Sequence, residues 1–179
     1  MIILIGPSAS GKTEVAKELM NKYHYKKVIT YTTRLPRENE TNDVDYHFIS
    51  LDDFVKKISQ DFFFETVNYN GNFYGTARAD LNDNSVVVLE PRGFRSYKEK
   101  GAKNVVSFYL ESDEEHRIKR MKYRGDRDDK IKERIANDRK AFSSDEIQGI
   151  DFILDSNDLT IIELAKEIDE LYLKKMDGN

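Results

Sequence analysis

The chain has 179 residues, 39% of them hydrophobic, with 29 Lys+Arg against 33 Asp+Glu for a formal net charge of −4. That length favours one domain with room for an inserted lobe, and the charge balance leaves no general basic footprint for nucleic acid. The absence of cysteine excludes disulfides and thiolate metal sites, no apolar run approaches the ~20 residues of a membrane span, and the start MIILIG lacks the basic region of a signal peptide, so a cytoplasmic protein is expected.

In chain order, Ile2 to Ile5 is a short apolar run that reads as the first strand, and Thr13 to about Tyr23 reads as a helix. Val28 to Thr30 reads as a second strand. Ser50 can cap a helix through about Ile58, with Leu51, Phe54, Val55 and Ile58 at helical spacing. From Phe62 to Thr76 the text turns aromatic and β-prone, with Asn70-Gly71 as a hairpin signal. Val86 to Leu89 and Val105 to Leu110 are further strands, and Ser112 with Glu115 has the form of a capping box before a helix carrying Ile118 and Met121. Gly125 and the adjacent aspartates divide the charged run Arg117 to Arg134 into two helices. Phe152 to Leu154 is a last strand, and Ile161, Leu164, Ala165, Ile168 and Leu171 form the apolar stripe of a C-terminal helix. Short apolar strands alternating with helices imply an α/β fold, a parallel sheet flanked by helices. The hairpin-rich stretch of about residues 32 to 80 reads as an antiparallel insertion.

Between the first strand and the first helix lies GPSASGKT, Gly6 to Thr13, which fits the phosphate-binding pattern G-x-x-x-x-G-K-[ST] in the required strand-to-helix context. Gly6 and Gly11 let the backbone curl so that N–H groups face an anion, and the helix start adds its positive dipole end. The loop Gly6, Pro7, Ser8, Ala9, Ser10, Gly11, Lys12 and Thr13 would thus hold the phosphates of a nucleotide. Lys12 would reach the β- and γ-phosphates, and the Thr13 hydroxyl can ligate Mg2+.

A second constellation is TYTTRLPRENETNDVDYHF, Thr30 to Phe48. Arg34 and Arg37 flank Pro36, and paired guanidinium groups on a stiff loop suit a phosphate. Since one phosphate loop already serves the nucleotide, a second phosphate site implies a second phosphorylated substrate. From these two arginines alone a solvated loop would look the same. Glu65 stands in the otherwise aromatic and apolar FFFETV, where a carboxylate belongs only if it faces a cavity or points outward from the strand.

GPSASGKT, TTRLPRENE with VDYHF, FETVNYNGNFYGT, and RMKYRG with the later KERI fall in order along the chain, which thereby resembles the guanylate kinase family from residue 2 to about 175. The resemblance implies transfer of the ATP γ-phosphoryl group to GMP. It also implies a P-loop core (about 1–31 and 81–179), a GMP-binding lobe (about 32–80) and a mobile helical lid (about 120–140) within a single domain. Arg34 and Arg37 would hold the GMP phosphate, with the Tyr46 and Tyr74 hydroxyls beside them. Thr30, Glu65 and Thr76 would contact guanine. Arg120, Arg124 and Arg134 would swing over the triphosphate. The chemistry agrees for Glu65: guanine presents N1–H and an N2 amino group on one edge, and a carboxylate accepts from both.

Four positions depart from the family pattern. Ala9 stands where a second loop glycine is usual, and Glu14 where a hydroxyl residue is usual. Val88 and Glu90 in VVVLEPRG replace two aspartates. Val88 can do nothing polar, whereas Glu90 can still accept from the guanine amino group or Arg37. Ser156 or Asn157 in DSNDL could face adenine. Two alternatives follow: a diverged P-loop kinase acting on a ribose bisphosphate or another nucleoside monophosphate, or a non-catalytic guanylate-kinase-like binding module.

Overall fold

The computed structural model describes the whole chain except Asn39, Asn70, Ser144 and Asn179. Its elements run β1 (Ile2–Ile5), α1 (Lys12–Tyr23), β2 (Lys26–Lys27), β3 (Tyr31–Thr32), β4 (His47–Phe48), α2 (Leu51–Ser59), β5 (Phe63–Tyr69), β6 (Asn72–Ala77), β7 (Ser85–Val88), α3 (Pro91–Glu99), β8 (Val106–Glu111), α4 (Glu114–Tyr123), α5 (Asp128–Ala141), β9 (Phe152–Asp155) and α6 (Ile161–Asp177).

The first sheet is entirely parallel, in the order β2-β7-β1-β8-β9. Its central strand is apolar at every residue because both of its faces are covered. Ile2 and Leu4 pack with Val15 and Leu19 of α1 and Leu164 and Ile168 of α6, all buried. Ile3 and Ile5 point the other way, onto Val28, Val87, and Phe94 and Tyr97 of α3. Each such fully buried side chain contributes about 1.5–3 kcal/mol, so β1 anchors both layers and sets where the loop after Ile5 emerges. The polar Ser107 inside β8 is accommodated because its Oγ donates to Asp151 Oδ2 at 2.7 Å and accepts from the Asp151 N–H at 3.0 Å.

The second sheet is mixed, in the order β4-β3-β6-β5. β3 pairs parallel with β4 and antiparallel with β6, and β5 and β6 form the antiparallel hairpin expected from FFFETVNYNGNFYGT. Of its turn signal, Gly71 adopts φ 75°, whereas Asn70 lies outside the described residues. Gly75 is required by packing: a Cβ there would stand 2.9 Å from the Phe63 ring, which stacks on Phe54 of α2 at 4.6 Å.

Four features differ from the sequence expectation. The second strand of the core is Lys26–Lys27 rather than Val28–Thr30; Val28 adds one bond to Val86 O at 2.9 Å, and the chain then leaves for the second sheet. The capping box at Ser112 does not form. Asp113 is the N-cap of α4 and makes no side-chain cap bond, while the Ser112 hydroxyl donates to Asn157 Oδ1 at 3.1 Å, tying the end of β8 to the loop after β9. In α2 only Phe54 is buried; Leu51, Val55 and Ile58 are 52%, 55% and 46% exposed, because a sheet of four short strands covers only a narrow strip of the helix. α3, not anticipated, starts with Pro91 at its first turn, a position that suits proline's fixed φ and missing N–H.

Candidate functional site

A cavity of about 630 Å³ lies between the two sheets, with the loop after β1 as its floor and α4 and α5 at its side. Gly6 begins that loop and cannot carry a side chain: a Cβ would sit 2.7 Å from both Leu110 O and Ser10 Oγ. Gly11 takes φ 96° as the N-cap of α1. Ala9 takes φ 62°, a left-handed conformation that costs a residue with a Cβ roughly 1–2 kcal/mol. The loop therefore keeps its curl without the usual glycine.

Ser8 through Thr13 line the cavity; Gly6 and Pro7 lie behind and hold Lys12, whose ammonium donates to their carbonyls at 2.5 and 2.8 Å. Burial lowers the Lys12 pKa, with Glu90 opposing that shift. A cation poised over the loop by two carbonyls can move onto an incoming phosphate, which is the stronger acceptor. Glu14 also borders the cavity but is exposed and pairs with Lys17 at 3.2 Å, so the helix surface absorbs this departure from the family pattern.

Across the cavity stand Thr30, Arg34, Arg37, Tyr46, Glu65 and Tyr74. The two arginines are already gathered by a carboxylate, Glu40. Arg34 donates to both its oxygens at 2.9 Å, Arg37 Nη1 lies 3.4 Å from it, and the Arg37 N–H donates to it at 2.8 Å. Burial alone would raise the Glu40 pKa, but the bonds from Arg34 and Arg37 outweigh it and hold the group below the ordinary carboxylate range. Tyr46 contacts Arg34, 5.3 Å from the ring centre, and Tyr74, 6.1 Å between rings; its hydroxyl is pushed up to about 12, chiefly by burial.

Glu65 is 2% exposed, yet lines the cavity. Its Oε1 accepts from Thr76 Oγ1 at 2.7 Å, and its Oε2 is inaccessible and without a partner. Gly93 makes room for it, since a Cβ there would come 3.2 Å from Oε2. Thr76 is not among the residues that line the cavity, and its hydroxyl is engaged with Glu65. Glu90, the N-cap of α3, also projects an inaccessible Oε2 without a partner. Desolvation raises both carboxyls to about 7. Two carboxylates at one wall, each with an idle acceptor, suit a ligand that brings N–H donors. Val88 borders the same wall and is apolar.

Arg120, Arg124 and Arg134 line the α4–α5 side. Arg120 is engaged by backbone, donating to Ala9 O at 3.2 Å and Ser156 O at 2.6 Å, so it braces the phosphate loop against the loop after β9. Arg124 and Arg134 share Asp126: Arg124 Nε donates to Oδ1 at 3.1 Å, Arg124 Nη2 pairs with Oδ2, and Arg134 Nη1 donates to Oδ2 at 2.7 Å. The Arg37 guanidinium is shifted down by burial and then by the nearby Arg34 and Arg134 charges, and both arginine pairs line the cavity. Sequence reasoning missed Glu40 and Asp126. The local signal was their place three and two residues after an arginine, but only the fold makes them partners of an arginine pair.

A family model for guanylate kinase matches residues 1–171. The guanylate kinase of Clostridium acetobutylicum is 33% identical over 136 residues, 73% of this chain but 65% of that protein, which is just under two thirds of its length. The guanylate kinase of Prochlorococcus marinus strain MIT 9312 is 31% identical over 179 residues, 96% of this chain and 95% of the other. A guanylate kinase structure from Anaplasma phagocytophilum superposes with a TM-score of 0.69 over 98% of this chain and 85% of that one at 21% identity, a likeness of fold. Among the described residues no helix is long and apolar enough to cross a membrane. The phosphate loop, the paired arginines and the buried glutamate thus stand in a chain that belongs to the guanylate kinase family.

Proposed function

We propose that this protein transfers the γ-phosphoryl group of ATP to GMP and dGMP, giving ADP and the diphosphate. The observation that carries the reading is Glu65. A buried carboxylate beside the cavity, with one oxygen held by Thr76 and the other without a partner, is expensive unless a ligand supplies donors, and the N1–H and N2 edge of guanine supplies them. Glu90 offers a second acceptor to the amino group. Arg34 and Arg37 take the monophosphate, with Tyr46 and Tyr74 beside them, and the loop Ser8 to Thr13 takes the triphosphate.

The acceptor phosphate oxygen attacks the γ-phosphorus while the bond to the β,γ-bridging oxygen breaks. In such transfers the protein chiefly positions the two phosphates and stabilises the charge spread over the moving group. Lys12 neutralises oxygens of the donor phosphates. Arg124 and Arg134, released from Asp126 as the α4–α5 region closes, add charge from the side, and closure excludes water. Arg120, bound to Ala9 O and Ser156 O, keeps the loop in place.

The donor set fits Mg2+ arriving with ATP rather than a metal held by the protein alone. Among the described residues no group of three His, Cys, Asp or Glu side chains could hold an ion. An oxygen donor nevertheless lines the cavity in the Thr13 hydroxyl, the hard-ligand type magnesium takes alongside nucleotide phosphates. Bound there, the ion would neutralise phosphate charge.

A coupled ADP-release assay with ATP and magnesium across GMP, dGMP, AMP, UMP, CMP and ribose phosphates tests the reading. Turnover with GMP and dGMP is expected. Turnover with a ribose phosphate but not GMP would move the protein to another acceptor, and no turnover with any would favour a binding module.

A further inference from the structure

Asp138 of α5 is 1% exposed, and its carboxylate accepts from three separate segments. Oδ2 accepts the Ser8 N–H at 2.9 Å and Arg117 Nη1 at 2.7 Å; Oδ1 accepts the Ser8 hydroxyl at 3.1 Å and the Tyr69 hydroxyl at 2.7 Å. Ser8 belongs to the phosphate loop, Arg117 to α4, and Tyr69 to the end of β5 in the second sheet. Arg117, itself 4% exposed, is completed by donating Nε to Ser112 O at 3.1 Å. The ion pair is therefore fully engaged, as a buried pair must be to avoid a stranded charge.

The position of Tyr69 gives this network a mechanical meaning. The second sheet is fastened to the core at its base, where Phe64 of β5 packs on Tyr97 of α3 and Lys100 donates to Phe64 O, and where Lys27 donates to Val44 O and Asp45 O at 2.8 and 2.9 Å. Tyr69 lies at the other end of β5, about 16 Å further along an extended strand at ~3.3 Å per residue. A bond at the tip of a lever restricts its angle more than a bond near its pivot. The wall that carries Glu65 is part of that lever.

We propose that Asp138 is a positioning residue: through the Tyr69 hydroxyl it sets the acceptor-binding sheet in register with the phosphate loop, holding Ser8 and Tyr69 on one carboxylate. The inference rests on the GMP kinase reading for its kinetic consequence, but the tether can be tested without it. Misplacing reacting groups by about 1 Å can cost on the order of a hundredfold in rate, so the network links geometry at the hairpin tip to turnover.

Tyr69→Phe removes the hydroxyl and keeps the ring. Backbone amide exchange in the β5–β6 hairpin (residues 66–69 and 72–74) should quicken several-fold in the substrate-free variant, while β1 and β8 stay protected as before. KM for GMP should rise about tenfold, in line with the loss of one charge-assisted hydrogen bond, kcat should fall by a similar factor, and KM for ATP should stay within about twofold. Because Tyr69 also borders the cavity, a double-mutant cycle with Asp138→Asn separates the tether from direct contact with substrate. Non-additive losses are expected if the bond carries the effect; additive losses would assign Tyr69 to the substrate and overturn the proposal. Should Asp138→Asn fail to fold because Arg117 loses its partner, the exchange measurement on Tyr69→Phe still decides. Unchanged hairpin exchange overturns the tether whatever the acceptor is, whereas faster exchange in a protein that does not phosphorylate GMP upholds the tether and rejects the substrate reading.

Discussion

Replacing Glu65 by Gln changes one oxygen into an amide nitrogen and perturbs stability and specificity in opposite directions. The carboxyl titrates near 7 rather than its ordinary 4.5, chiefly because it is buried. The folded protein therefore binds a proton between pH 4.5 and 7 that the unfolded chain has released, and the empty protein loses stability as pH rises through that window. Between 4.5 and about 7 the lost stability amounts to at most about 3.4 kcal/mol. Glu65→Gln removes that penalty and keeps the bond from Thr76 Oγ1, so at pH 8 the empty variant should be the more stable, with a thermal midpoint several degrees higher at ~2–4 °C per kcal/mol. At pH 5, where Glu65 is already largely protonated, the midpoints should nearly coincide. Specificity moves the other way. The amide NH2 faces the guanine N–H edge as a donor meeting donors, so kcat/KM for GMP should fall about ten- to a hundredfold, while adenine N1, an acceptor, becomes acceptable. The assays are thermal unfolding at both pH values and kcat/KM for GMP and AMP. An unchanged GMP:AMP ratio, or a midpoint difference equal at pH 5 and pH 8, would refute the reasoning.

Lys12→Met should lower kcat by orders of magnitude and weaken ATP binding less, since the backbone donors of the loop remain; steady-state kinetics with varied ATP decides, and near-normal turnover would remove Lys12 from the transfer. Arg34→Met or Arg37→Met should raise KM for GMP roughly ten- to a hundredfold with KM for ATP nearly constant; a rise in the ATP value instead would place these arginines at the donor. Glu40→Gln leaves the arginine pair without its bracing charge and should raise KM for GMP by less than loss of either arginine, with kcat close to normal. Because Glu65 and Glu90 must both be ionised to accept from guanine and titrate near 7 when the site is empty, GMP affinity should weaken as pH falls below 7, by up to tenfold per unit for each carboxyl; calorimetry at pH 5.5, 6.5 and 7.5 measures it, and flat affinity would contradict the assignment.

Residues whose place in the cavity is set by short-range sequence were legible in advance. The phosphate loop follows a strand and opens a helix, so Lys12 and Thr13 are placed by their own segment. Arg34 and Arg37 share one loop, and Glu65 is out of character in an apolar strand. What the sequence concealed depends on distant partners. Glu40 and Asp126 look like ordinary loop acids in a chain that is 35% charged, and only the fold sets each between two arginines. Asp138 sits in a helix dense with charged residues, yet it is buried because Ser8, Arg117 and Tyr69 converge on it. The bond from the Thr76 hydroxyl to Glu65 was likewise hidden, because it follows from their facing registers on β6 and β5. The apolar stripe of α2 read as core, but how much of it a sheet covers depends on the size of the sheet.

The measurement that bears most directly on the central claim is kcat/KM of the unaltered protein for GMP against AMP, with ATP and magnesium and the diphosphate product identified. A site built on buried hydrogen-bond acceptors should favour GMP by about 10⁴, with GDP as product. Equal use of the two purines, or phosphorylation of AMP with none of GMP, would contradict a guanine reader at Glu65.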